Sequence, residues 1–399
     1  MDPYTPMDPY TPPPMYNISA HSLRDAGLQQ GRLAGARIRG WLASPEMVGL
    51  VNYTMTEGSA AFKALKADNS VFSPLLVGEL EGLAEGAGVP LDSIWTATMI
   101  NELESLRTYP PGTTKPRRAG HCSDLYAHDP AAGHIAHGHN EDWPGVVREY
   151  WYLASYTALP GADFSSCAGV VYPGGLIGWA ASWNEHGVYL TQNSLFPTRN
   201  RAGGLCSAFA QRAALCGVGG TGRSPTTLDG LIAGLKPKPG GGWSSAASLN
   251  VVSLSEGRMA NVEVHLQRGD AYEVARNYSH FNMFKHLEVG EADTPEPSTL
   301  HRQARVDVLP AVRNADDIAA RLSDHEDPDY PIYRNMTLHT LIVDGSSGRL
   351  RGWCCGTAAH SGAPPMYDWH VPSFFAPSPS PSPSPSPPSP QSVEVEAAA

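Results

Sequence analysis

The rhythm of apolar and polar positions changes near residue 120. Upstream, apolar residues return at helical spacing. The run SLRDAGLQQGRLAGARIRGWLAS (22–44) predicts one helix, and SPLLVGELEGLAEGAGV (73–89) and PLDSIWTATMINELESL (90–106) predict two more, the last with Pro90 near its start. Downstream, the pattern shortens to strands: DLYAHD (124–129), HIAHGH (134–139), YWYLASYTAL (150–159), GLIGWAASW (175–183), GVYLTQN (187–193), LNVVSLS (249–255), NVEVHLQ (261–267), DAYEVA (270–275), TLHTLIVD (337–344) and RLRGWC (349–354). Further helices are expected at 204–217, 226–236 and 300–323. Runs of strands interrupted by runs of helices predict an α+β architecture with at least one antiparallel sheet covered by helices.

Composition marks the limits of this folded region. The duplicated, proline-rich MDPYTPMDPYTPPP at the start and the PSPSPSPSPSPPSP run near the end have little apolar surface to bury, so tails are expected over 1–15 and 376–399. Prolines and glycines in TYPPGTTKPRRAG (108–120) break the remainder into a helical segment, 16–121, and a strand-rich segment, 122–375. The 399 residues carry a net charge of −11, and no basic block is longer than Lys115-Pro116-Arg117-Arg118. A nucleic-acid partner is therefore not expected, and a small molecule is. No apolar run is long enough to span a membrane. The N-terminus lacks a basic n-region and an apolar h-region, and the C-terminus is not of the Ser-Lys-Leu type, so a cytoplasmic location is expected. The six cysteines form neither a disulfide framework nor paired CxxC motifs.

Candidate chemistry concentrates in AGHCSDLYAHDPAAGHIAHGHNEDW (119–143). On a strand, period two puts His137 and His139 on one face with Asp142 close by, an arrangement compatible with a metal. No HExxH motif or second ligand cluster supports one, and none is expected. Cys122 follows the proline-rich break directly, where the chain tolerates a cut. A cysteine freed there supplies both a thiol and an α-amine base, whose pKa values are about 8.5 and about 7.7–8.0, so it needs no partner histidine.

The segment HCSDL…GHIAHGHNEDW resembles the start of the mature chain in the acyl-CoA:6-aminopenicillanate acyltransferase-like (peptidase C45) family of N-terminal-nucleophile (Ntn) cysteine hydrolases. GELEGLAEGAGVPLDSIWTATMINELES (78–105) is similar to the family's propeptide, and SWNEHGVYLTQNSL, SLNVVSLSEGRMANVEV and PSTLHRQARVDVL follow in the family's order. The resemblance implies an αββα sandwich of two stacked, mostly antiparallel sheets between helical layers. It implies autocatalytic cleavage of a zymogen between His121 and Cys122, with the small and large chains staying associated.

Cys122 is then the thiol nucleophile, acting on an amide or thioester substrate such as an acyl-CoA, without a cofactor. An N-acyl-lipid or N-acyl-amino-acid amidase of the acid-ceramidase-like branch, or an unprocessed binding protein, are the alternatives. Asp142 matches the aspartate of an N-x-D motif that holds an amine, and Asn193 the oxyanion donor of the strand end. Arg302 matches the arginine of the S-S-x-x-R helix, with Arg305 one turn on. His139 stands where relatives have Arg or Gln. The family's second oxyanion asparagine aligns with Ser279, while Asn277 stands two places earlier, so either completes the hole.

Overall fold

The structure is a computed structural model, and it describes residues 11–108, 122–129, 131–143, 145–197, 199–218, 223–239, 241–289 and 295–376. His121 and most of both expected tails lie outside the described residues. Of the N-terminal tail, Met15 opens the first strand.

Seven elements precede residue 109: β1 (Met15–Ala20), α1 (Leu23–Leu42), α2 (Pro45–Met55), α3 (Ser59–Phe72), α4 (Pro74–Ala87), α5 (Leu91–Thr98) and α6 (Ile100–Thr108). Serine-proline pairs start two of these helices. The hydroxyls of Ser44 and Ser73 accept from the backbone N–H groups of Met47 and Leu76, and Pro45 and Pro74 fill first-turn positions where no N–H is needed. Gly88, with φ +67°, ends α4 in the left-handed conformation that glycine adopts readily.

Helices α1 and α4 pack backbone to backbone. A Cβ on Gly27 would lie 2.1 Å from the carbonyl oxygen of Glu79, and one on Gly82 2.1 Å from that of Arg24. The glycine spacing of the propeptide-like segment thus has a packing reason.

The second part contains β2 (Ser123–Asp129), β3 (His134–Asp142), α7 (Val147–Tyr150), β4 (Tyr152–Ala158), β5 (Cys167–Val171), β6 (Ser182–Asn184), β7 (Val188–Leu195), α8 (Ser207–Cys216), α9 (Leu228–Leu235), β8 (Ala246–Ser253), β9 (Arg258–His265), β10 (Arg268–Glu273), β11 (Tyr278–His280), α10 (Pro297–Val308), α11 (Ala315–Leu322), β12 (Thr337–Asp344), β13 (Arg349–Cys354) and β14 (Tyr367–His370). They form an eight-stranded sheet ordered β1-β4-β5-β6-β7-β8-β9-β10 and a six-stranded sheet ordered β11-β2-β3-β12-β13-β14. Every pairing is antiparallel except β1 with β4.

The sheets stack face to face. Tyr126 on β2 donates to Asn250 on β8 at 2.6 Å, and His137 on β3 lies against Tyr189 on β7. Helix α11 covers the outer face of the smaller sheet through Ile318 and Leu322 against Leu125, Ala127 and Ile342. On the outer face of the larger sheet, Gln30 of α1 donates to Tyr152 on β4, and α9 packs on β8 and β9. The result is the αββα sandwich of the Ntn type.

Several elements differ from the sequence pattern. Helices α2 and α3 occupy a stretch given no element. The helix expected at 300–323 is two, because Pro310 cannot continue one and Asn314 caps the next. The helix expected at 90–106 breaks at Met99, between α5 and α6. The strand expected at 175–183 shrinks to β6, since Gly174 (φ +84°) and Gly178 (φ +106°) turn the chain. Cys167 and Cys216 form a disulfide, a pairing that a separation of 49 residues did not suggest. Among the described residues no helix is long and apolar enough to cross a membrane.

Candidate active site

Alternation along the β2–β3 hairpin sorts its side chains by layer. Ser123, Leu125 and Ala127 share the face toward the helices, while Asp124 and Tyr126 turn toward the facing sheet. On β3, His137, His139 and Glu141 share the inter-sheet face. Asn140 and Asp142 lie on the opposite face, where Asn140 donates to the carbonyls of Leu322 and Ile332. Asp124 is in register with His139, and Glu141 with His339 of β12.

Cys122 sits one residue before β2. It is 3 % exposed and its φ is +52°, a left-handed conformation that costs a non-glycine residue energy. Its thiol donates to Glu141 Oε1 at 3.5 Å and hydrogen-bonds the His139 ring. Tyr172 donates to the same Glu141 oxygen at 2.9 Å.

His139 is held at both ends. Its Nδ1 lies 2.9 Å from each Asp124 oxygen, and its Nε2 3.2 Å from Glu141 Oε2. Asp124 also accepts from His137 Nε2 at 2.8 Å, Thr191 Oγ1 at 2.8 Å and Asn193 Nδ2 at 2.7 Å. Five hydrogen bonds from two strands, β3 and β7, therefore converge on one fully buried carboxylate.

The electrostatics follow from burial and these partners. Burial disfavours the Asp124 carboxylate, but the charges and donors of His139 and His137 override it and hold Asp124 well below the usual carboxylate range. Burial likewise opposes an imidazolium at His139, yet the Asp124 carboxylate outweighs it and pushes His139 well above its usual value. Burial and the Glu141 carboxylate push the Cys122 thiol up to about 12, against the pull of His139. Burial lowers His339 to about 3. The site is thus a neutral thiol beside an imidazolium flanked by two carboxylates.

Arg302, fully buried on α10, holds the backbone of the same residue. It donates to the Cys122 carbonyl and to Ser123 Oγ at 2.9 Å, and its other nitrogen donates to Asn282 Oδ1 at 2.8 Å. Asn282 in turn donates to the carbonyl of Ser194. Asp142 accepts from Thr337 at 2.6 Å and pairs with Arg334 at 3.2 Å. Arg305 pairs with Asp324.

Asn193 reaches the cluster through Asp124, its amide nitrogen donating there and its oxygen accepting from Asn250. Ser279 lies opposite Leu125, on the helix-facing side of β11, and exchanges hydrogen bonds with Gln303. Asn277 ties the backbone N–H of His128 to the carbonyl of Val312. The structure thus gathers Cys122, His139, Asn193 and Arg302 of the sequence candidates around β2, and seats Ser279 and Asn277 in the contact between β2 and the helices. His121 lies outside the described residues.

Asp124, Glu141, Tyr172 and Asn282 were not singled out in the sequence. Asp124 and Glu141 stand at period two from Cys122 and His139, a signal that becomes readable once the hairpin register is known. Cys122, His139 and Glu141 offer ligand atoms within 4.8 Å of one another, as do His301, Asp327 and Asp329 at the surface, and these are the groups able to hold a metal among the described residues.

Cys122, Glu141, Trp143, Tyr172, Trp179, Ala180, Gln192 and Ser194 enclose a cavity of about 10 Å³, room for no more than a water molecule. Trp179 and Ala180 come from the irregular stretch where a longer strand was expected, and Tyr172 stands just before it. A family profile described as acyl-coenzyme A:6-aminopenicillanic acid acyl-transferase matches residues 131–352, more than half of the chain. The chain belongs to this family. The acyl-transferase match runs from the turn before β3 into β13, so it rests on the body of the sandwich and begins after Cys122. At the family level the chemistry is that of an Ntn-type acyltransferase or hydrolase. No curated protein matches the chain.

Proposed function

We propose that the chain is an Ntn enzyme whose Cys122 thiol takes an acyl group from an amide or thioester and passes it to water or an amine, after the chain has cut its own His121–Cys122 bond. The observation that carries this reading is the position of Cys122. It combines a left-handed backbone directly before the first strand of the sandwich with a thiol in contact with Glu141 and the Asp124-held imidazole of His139.

In the uncut chain the Cys122 nitrogen is an amide and accepts no proton. The thiol proton passes to Glu141, and the imidazolium of His139 balances the charge on sulfur. Sulfur adds to the carbonyl carbon of His121, and the C–N bond breaks. The nitrogen recovers the proton from Glu141 and becomes the α-amine. Water then hydrolyses the thioester, leaving a carboxylate on His121 and a thiol on Cys122. Opening the peptide also releases the left-handed strain, of order 1–3 kcal/mol.

Arg302 fixes the Cys122 carbonyl throughout. In the cut enzyme the new α-amine, with an ordinary pKa of about 7.7–8.0, is the base for the same thiol. The cavity of about 10 Å³ beside Cys122 speaks against an uncut binding protein using this site, because it has room for no more than a water molecule.

The test is a denaturing gel of wild type and Cys122→Ala. Wild type is expected as two pieces, the larger beginning Cys-Ser-Asp-Leu, and Cys122→Ala as one band near 42.6 kDa. If wild type also stays whole, self-cleavage is wrong.

A further inference from the structure

A second pair of sulfurs stands apart from the Cys122 thiol. Cys354 is the last residue of β13, and Cys355 follows it directly. Successive side chains of a strand point to opposite faces, so neighbouring cysteines in regular β structure hold their sulfurs apart. Here the backbone departs from that rule. Cys355 has φ +62°, the left-handed region that disfavours a side chain, and the turn brings the two Sγ atoms to 2.7 Å. Strain at a non-glycine residue that serves to bring two thiols together points to chemistry between them.

The surroundings suit such chemistry. Cys354 is 2 % exposed and lies 3.3 Å from Met366 Sδ, and the hydrogen bond with Cys355, together with burial, pushes its thiol up. Cys355 is partly exposed, and its Sγ also lies 3.6 Å from the carbonyl of Thr11. One thiol thus meets solvent and the other waits behind it, the arrangement of an attacking and a resolving cysteine.

We propose that Cys354 and Cys355 form a reversible redox site that closes to a vicinal disulfide by exchange with a small-molecule disulfide such as oxidised glutathione. The Cys355 thiolate attacks one sulfur of the small disulfide and expels one thiol, giving a mixed disulfide. Cys354 loses its proton to water, attacks the Cys355 sulfur and expels the second thiol. Two protein thiols are oxidised to one S–S bond while one small disulfide is reduced to two thiols. Adjacent Cα atoms are about 3.8 Å apart, closer than the roughly 4.4–6.8 Å of ordinary disulfides, so the ring is strained and small thiols reopen it.

The site is not isolated from the reaction centre. Cys354 is in register with His339, and His339 with Glu141, the acceptor of the Cys122 thiol. One row of side chains across β13, β12 and β3 connects the two sulfur sites.

The test uses the native full-length chain, cut or uncut. It is incubated with oxidised glutathione, denatured, alkylated with N-ethylmaleimide and digested, and the peptide carrying both cysteines is weighed. The expected peptide carries no label and is lighter by two hydrogen atoms than the free dithiol. Dithiothreitol before alkylation restores two labels, and Cys355→Ser leaves a single label on Cys354. A peptide doubly labelled after oxidant, carrying glutathione on both sulfurs, or linked to a peptide of another cysteine overturns the proposal.

Discussion

Asp124 decides the charge of the site. It accepts from His137, His139, Thr191 and Asn193, and its carboxylate keeps His139 protonated against burial. Asp124→Asn preserves the shape and removes the charge. Self-cleavage and turnover are then expected to slow by about 10²-fold or more, within the range removed with other positioned acid–base groups. Cleavage half-times followed on gels check this, and an unchanged rate would remove Asp124 from the mechanism.

His139 also leaves a mark on stability. Its folded pKa is raised, so above about pH 6.5 the folded chain keeps a proton that the unfolded chain has lost. This contribution is complete below that pH and fades as pH rises through the folded value. His137 and His339, both lowered, act on the other side, where stability climbs as pH rises toward about 6.5. Urea midpoints across pH are therefore expected to fall above about 6.5 in Cys122→Ala, and His139→Gln in the same background is expected to flatten that limb. Parallel slopes in both variants would contradict the assignment.

Cys122 was singled out in the sequence because the signal is local, a cysteine after a breakable stretch. Asp124 and Glu141 were not, because their roles arise from the β2–β3 register and from a second sheet folding over them. Asp142 shows the same limit: two positions that adjoin in sequence, Glu141 and Asp142, lie on opposite faces of β3.

At the level of elements, the α1–α4 contact turns an ordinary rule around. Replacing a glycine within an exposed helix by alanine stabilises it by about 1 kcal/mol. At Gly78 the nearest foreign atom to a new Cβ is 3.6 Å away, and Gly78→Ala is expected to raise stability by up to about that amount. One turn on, the Gly82 Cβ would sit 2.1 Å from a backbone oxygen, and Gly82→Ala is expected to lower stability by roughly 1–3 kcal/mol or more. Melting temperatures of the two variants against wild type distinguish them by sign. Equal shifts would mean the helices do not meet through their backbones.

Helix content before residue 109 and strand content after it were readable from periodicity, since α1, α4 and most strands carry strong one-faced patterns. The failures are specific. Pro310 was a written stop inside an expected helix, Gly178 was a written turn inside an expected strand, and α2 and α3 were passed over despite the capping serine before Pro45.

Across the whole molecule, the segments before residue 109 and after residue 121 are woven into one sheet. Strand β1 pairs with β4 over six residues, and α1 seals the outer face of that pairing through Gln30 and Arg37. After a cut the pieces are expected to elute together in native size-exclusion chromatography and to part in denaturant. All six cysteines lie at or beyond residue 122, and the Cys167–Cys216 disulfide is internal to the larger piece. The parting therefore needs no reductant, and pieces that separate natively would contradict the shared sheet.

The partners of Asp124 come from both layers, His137 and His139 from the smaller sheet and Thr191 and Asn193 from the larger. The groups poised for the cut thus come into place only when the two sheets have closed on each other. On the proposed reading, self-cleavage serves as a quality-control signal written into the chain: a variant whose layers fail to seat is expected to stay in one piece, and the ratio of bands on a gel to count how many molecules have folded.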